Sequence, residues 1–140
     1  TPIIQLVKES PHLGQLRCIM TDGLTLAGFG VLDISTLLKK TGIPVLAISL
    51  RFPNFEKIKK ALLNHFNDGK ERWNILKKAG PPVHYPNTNI YLQIAGMPVK
   101  TAFQLIKHTT CYGRVPEPIR IAHLIAKSFT IKGEKNTPSR

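Results

Sequence analysis

The sequence predicts an α/β fold built on a largely parallel sheet, on three observations. Short apolar runs, Leu16 to Thr21, Val45 to Ile48 and Ile90 to Ala95, carry no polar alternation, as strands covered on both faces do. Segments with apolar residues at helical spacing separate these runs. Gly, Pro, Asn and Asp punctuate nearly every junction, which limits each element to an ordinary length. With 140 residues, 42% of them hydrophobic, the chain can bury one domain's core.

In chain order, Pro2 opens a helical pattern with Ile3, Ile4, Leu6 and Val7 on one face, and Ser10-Pro11 breaks it. The run Leu16 to Thr21 ends abruptly at Asp22-Gly23, as a buried strand ends. Asp33 is a suitable N-cap for a helix through Leu37, Leu38 and Lys40, which Gly42 stops. Pro44 introduces the second strand. Pro53-Asn54 precedes a helix carrying Ile58, Ala61, Leu62 and Phe66, and Asn67-Asp68-Gly69 interrupts it. A further helix with Trp73, Leu76 and Lys77 runs to Gly80-Pro81-Pro82. Asn87-Thr88-Asn89 turns into the third strand, and Gly96-Met97-Pro98 leads to a helix with Ala102, Phe103, Leu105 and Ile106. After the loop at Tyr112-Gly113-Arg114, Pro116-Glu117-Pro118 caps a last helix, Ile119 to Lys127. A single domain over 1–131 and a polar tail over 132–140 follow. Three strands make a thin sheet, and a further layer of strands is expected before Thr1.

Lys and Arg number 20 against 8 Asp and Glu, a formal charge of +12, which raises the odds of a polyanionic partner. The ordinary alternative is that Lys57, Lys59, Lys60, Lys70, Arg72, Lys77 and Lys78 form solvated helix faces. Trp73 and Phe66 read as core rather than as base-stacking surfaces. No apolar stretch reaches the roughly 18 residues of a membrane helix, and no signal peptide is visible. The two cysteines, Cys18 and Cys111, read as a small core residue and a loop thiol, so the cytoplasm is the expected compartment.

Asp22 is the sharpest chemical signal. It ends a strand, and ligands in open α/β sheets bind at the carboxyl ends of strands. A carboxylate there suits a hard cation such as Mg²⁺. An Asx-turn with the following backbone is the commoner use of Asp-Gly. No other acidic residue ends a strand. His123 lies one helical turn from Arg120, and a lone helical histidine is most often a packing or surface residue. No zinc-spaced Cys/His cluster and no glycine-rich phosphate loop is present.

Asp22-Gly23-Leu24-Thr25-Leu26-Ala27-Gly28-Phe29 with Asp33-Ile34 resembles the central motif of the endonuclease dU family, which is mostly archaeal and related to endonuclease V. Thr41-Gly42-Ile43-Pro44-Val45, Ser49-Leu50-Arg51, Asn64-His65-Phe66 and Glu71-Arg72-Trp73 continue the likeness in order. Arg114-Val115-Pro116-Glu117-Pro118-Ile119-Arg120-Ile121-Ala122-His123 is similar to a segment shared with endonuclease V itself. The resemblance implies an RNase H-like fold, a mixed sheet flanked by helices. It also implies Mg²⁺-dependent cleavage of DNA, or RNA, near deaminated bases such as uracil or hypoxanthine, in a repair-like role. By position, Asp22 matches a metal-binding carboxylate and His123 a residue near that metal. Arg51 stands where endonuclease V has a lysine, and Arg51, Arg114 and Arg120 are the implied phosphate contacts. The family's first strand, with its leading aspartate, is expected before Thr1. This form is therefore expected to be inactive, with an unpaired strand edge open to self-association. The rival expectation is a non-catalytic nucleic-acid-binding module on the same fold.

Overall fold

A computed structural model describes residues 2–24, 30–111 and 113–136, the stretch 130–136 by its backbone alone. The Thr25 to Phe29 part of the motif and Tyr112 lie outside the described residues. The described chain forms α1 (Pro2–Lys8), β1 (Ile19–Asp22), α2 (Ile34–Thr41), β2 (Val45–Ser49), α3 (Phe55–His65), α4 (Gly69–Lys78), β3 (Val83–His84), β4 (Tyr91–Ala95), α5 (Val99–Thr109) and α6 (Glu117–Asn136). It divides into two compact units, Thr1–Phe103 and Gln104–Arg140, each described by itself.

The first unit holds the sheet, in the order β1-β2-β4-β3. β1 and β2 are parallel, and α2 supplies the crossover such a pair requires. β4 runs antiparallel to both β2 and β3, so the sheet is mixed rather than largely parallel. The reason is a strand that the periodicity did not show. β3 has only two residues, pinned between Pro82 and Pro86, whose rings remove ladder donors. Beyond it Asn87 takes φ 61°, the amide of Tyr85 bonds the Ile90 carbonyl at 2.9 Å, and the chain reverses into β4. A hairpin reversal yields an antiparallel neighbour where a helical crossover would have given a parallel one.

β1 is shorter than the predicted run and half-buried, with Asp22 as its exposed final residue. β2 is the sheet's most buried strand. Val45 and Ala47 join Ile34, Leu37, Leu62 and Leu76 in one cluster, with Trp73 and Phe66 packed against it, as expected of core residues. Leu46 and Ile48 alternate to the opposite face and are equally buried. Cys18 is only half-buried, and desolvation pushes its thiol up to about 11.

Asp33 caps α2 as its position predicts. Its carboxylate accepts the Thr36 amide at 3.0 Å and the Thr36 hydroxyl at 2.9 Å, and Gly42 ends the helix at φ 71°. Partial burial draws the Asp33 carboxyl upward. The Thr36 hydrogen bonds, the Lys78 charge and the Ser35 amide outweigh that and hold it below the ordinary carboxylate value. A depressed folded-state value contributes stability above the unfolded value of about 3.9 and loses it as pH falls through the folded one. Asp33→Ala is therefore expected to cost about 1 kcal/mol at neutral pH. In urea titrations the gap to the unmodified chain should narrow below about pH 4. A gap that widens in acid would contradict the cap's ionic contribution.

In the second unit, the last helix is longer than expected and runs on to Asn136. Thr109 and Thr110 close the end of α5 by donating their hydroxyls to the Leu105 and Ile106 carbonyls, each at 2.7 Å. The Arg120 guanidinium grips the Glu117 carboxylate through two bonds, Nε to Oε2 at 2.8 Å and Nη2 to Oε1. That bonding holds the Glu117 carboxyl below its usual range and raises the Arg120 guanidinium.

Candidate functional site

The parallel pairing of β1 and β2 sets their carboxyl ends side by side. Asp22 is in register with Ile48, and the Gly23 amide donates to the Ile48 carbonyl at 2.8 Å. Gly23 then turns at φ 73°, a conformation glycine adopts without steric cost. The Thr21 hydroxyl closes the turn by donating to the Gly23 carbonyl at 2.9 Å. A Cβ built at Gly23 would meet the Ser49 Oγ at 3.6 Å, so the last residue of β2 stands directly beside the turn.

These strand ends open into a cleft of ≈ 250 Å³. Asp22, Ser49, Arg51 and Gln93 supply its polar lining. Leu24, Phe55, Ile58 and Leu76 supply apolar wall. Gln93 is buried, and its Nε2 donates to the Gly80 carbonyl at 3.0 Å, which fixes the amide in the middle of β4. β4 begins at the same edge, with Tyr91 opposite Ser49 and His84 opposite Tyr91. The sheet thus gathers one carboxylate, one guanidinium, a hydroxyl and an amide at a single edge.

Asp22 and Arg51 are therefore brought together, at the edge where ligands of such sheets bind. Arg114, Arg120 and His123 belong to the second unit: Arg114 is exposed on the loop before α6, and His123 is exposed on α6. Part of the basic excess collects on α3, in a groove that Glu56 also lines. α3 gives Phe55 and Ile58 to the cleft wall, while Lys57, Lys59 and Lys60 line a groove of ≈ 530 Å³ along the same helix. Lys59 also lies over the Trp73 ring at 5.5 Å, and Arg72 over Phe66 at 4.1 Å. Motif reading missed Gln93 and Phe52. A buried glutamine in an apolar strand and an isolated aromatic between Arg51 and Pro53 produce no periodic or motif signal.

The donor set tests a divalent cation. A carboxylate with hydroxyl and amide oxygens suits Mg²⁺ in kind, since that ion takes oxygen ligands and retains water. It falls short in number for tight binding. Among the described residues no three His, Cys, Asp or Glu side chains are grouped to hold a metal ion.

The endonuclease dU family profile matches residues 1–130. The chain belongs to the endonuclease dU family. Similar archaeal proteins include a UPF0215 protein of Methanosarcina barkeri, 45% identical over 131 residues that make up 92% of this chain and 67% of that protein. Another, from Methanothermobacter thermautotrophicus, is 41% identical over 92% of this chain and 64% of its own length. The crystal structure of a protein of unknown function from Archaeoglobus fulgidus superposes with a TM-score of 0.85 at 34% identity. That match covers 91% of this chain and 72% of the other. This endonuclease dU family chain thus spans about two thirds of the length of the relatives it matches. Among its described residues no helix is long and apolar enough to cross a membrane.

Proposed function

We propose that the chain is the core of a Mg²⁺-dependent endonuclease that cuts DNA near deaminated bases, uracil or hypoxanthine, in a repair-like role. The observation that carries this reading is Asp22 exposed at the strand-end cleft beside Arg51. Family membership supports a nuclease-like role and hence a nucleic-acid partner. Asp22 and the Ser49 hydroxyl are the residues that would hold the cation, which when bound supplies positive charge against the phosphate. Arg51 holds a phosphate oxygen pair with its planar fork, and a guanidinium does not serve as a base. Leu24, Phe55 and Leu76 exclude water from one wall and strengthen these charge contacts. The roles of His123, Arg114 and Arg120, like the RNase H-like fold, stand on the resemblance alone, and the cytoplasmic location stands on cysteine usage.

The single carboxylate favours a second reading, a nucleic-acid-binding module without catalysis. A cleavage assay separates them. The 140-residue chain and a form extended to the length of its relatives are incubated with oligonucleotides carrying one uracil or one hypoxanthine. The extended form is expected to cut only with Mg²⁺, and the short chain to bind without cutting. Binding by both with cleavage by neither supports the module. Equal cutting by both would overturn the assignment of residues to the site. Among the described residues β1 pairs with β2 alone, so its other edge offers unpaired backbone groups. We read that edge as the place where the short chain self-associates, and concentration-dependent sedimentation tests it.

A further inference from the structure

Phe52 stands out between Arg51 and Pro53, two residues of the cleft lining. It follows Arg51 directly and is 55% exposed, whereas Phe55, Trp73 and Tyr91 are half-buried. A single exposed hydrophobic side chain is ordinary on a protein surface. This one is held in place. Its ring meets Phe55 at 5.8 Å and Tyr91 at 5.5 Å, at interplanar angles of 87° and 85°. Tyr91 is braced in turn by His84 at 5.0 Å and by its register with Ser49. Pro53 restricts the backbone on the other side, and the Asn54 carboxamide oxygen accepts the Lys57 amide at 3.1 Å to start α3. The faces of Trp73 and Phe66 carry Lys59 and Arg72, and both rings serve the core. Phe52 is thus an exposed aromatic held by two neighbouring rings, next in the chain to Arg51 and Pro53 of the cleft and just before α3.

We propose that Phe52 is a stacking platform for an unpaired base of a DNA strand whose neighbouring phosphate is held by Arg51. The proposal rests on the nucleic-acid reading above and adds how the strand is gripped. A protein that acts at an altered base must expose that base from the duplex stack, and an exposed base recovers free energy by stacking on an aromatic ring. Every base has a π-face, so the platform tolerates any sequence. Stacking releases no counterions, so its contribution does not depend on salt, unlike that of the adjacent arginine.

Binding without Mg²⁺ tests this separately from cleavage. The 140-residue chain is titrated by fluorescence anisotropy into labelled single-stranded DNA, the matching duplex and the matching RNA, over a salt series. Phe52→Ala is expected to weaken single-strand binding roughly 5- to 140-fold (about 1–3 kcal/mol) with the salt slope unchanged. Arg51→Ala should lower that slope by about 0.7. Phe52→Leu, which keeps the apolar bulk, should behave like Phe52→Ala. Phe52→Trp should retain affinity, with indole emission quenched on binding beyond the signal of Trp73. Full affinity in Phe52→Leu, an equal loss on duplex, tighter binding of RNA than of DNA, or no binding by the unmodified chain each overturns the proposal. Thermal melts of the variants within about 2 °C of the parent confirm that the exposed ring is not simply structural. Phe52-dependent binding without cleavage by the extended form would refute the nuclease reading and leave the platform standing. Cleavage indifferent to Phe52 would do the reverse.

Discussion

Alanine at Gly69 is expected to destabilise the fold by about 3 kcal/mol or more, on the order of 10 °C in melting temperature. Gly69 is the first residue of α4, three positions after Phe66, and it lets the new helix settle directly on the end of α3. An added Cβ would lie 2.0 Å from the Leu62 carbonyl oxygen and 2.6 Å from its carbon. Both obstacles are backbone, so no rotamer change relieves the overlap. The backbone is itself anchored, because the Leu62 side chain is fully buried in the cluster and the Phe66 amide bonds the same carbonyl at 3.2 Å. Relief therefore requires α3 and α4 to separate, which strips packing from Leu62, Leu76 and Trp73. Thermal unfolding followed by circular dichroism checks this against Lys70→Ala, an exposed neighbour expected to change little. A Gly69→Ala melt within about 2 °C of the parent would show that the two helices can shift freely.

The second large effect concerns Asp22. In the extended form, the proposed metal-holding role of Asp22 leads us to expect that Asp22→Asn reduces Mg²⁺-dependent cleavage on the order of a thousandfold, since the charge of a metal ligand underlies several kcal/mol of transition-state stabilisation. Folding should be untouched, because Asp22 is exposed at the end of β1 and asparagine keeps its shape and a side-chain oxygen. DNA binding should hold or tighten, since a negative charge leaves the edge proposed to meet phosphate. The combination of intact melting, intact binding and lost cleavage separates a metal ligand from a turn former. Asp22→Asn cutting at more than about a third of the parent rate would remove Asp22 from the chemistry.

Local signals decided much of the architecture. Asp33 and Gly42 bounded α2, Asn54 marked the start of α3, and the apolar run from Val45 to Ile48 became the buried β2. Each signal works within a few residues, through a cap, a left-handed stop or continuous apolar burial, so it is present in the linear string. The order of motifs likewise carried family membership, and it singled out Asp22 and Arg51 before any contact was known. Tertiary structure alone decided the direction of β4, because that depends on the two-residue β3 and on the turn at Asn87. Pairing with β4 stabilises β3; two residues have no periodicity of their own. The grouping of Gln93 and Phe55 with Asp22 was hidden for the same kind of reason. The side chains come from separate elements and meet only once β1, β2 and β4 align and α3 folds over their ends. The exposure of Phe52 was equally unreadable. Its place in the string carries no periodic signal, and its exposed position beside Phe55 and Tyr91 comes from their packing in the fold.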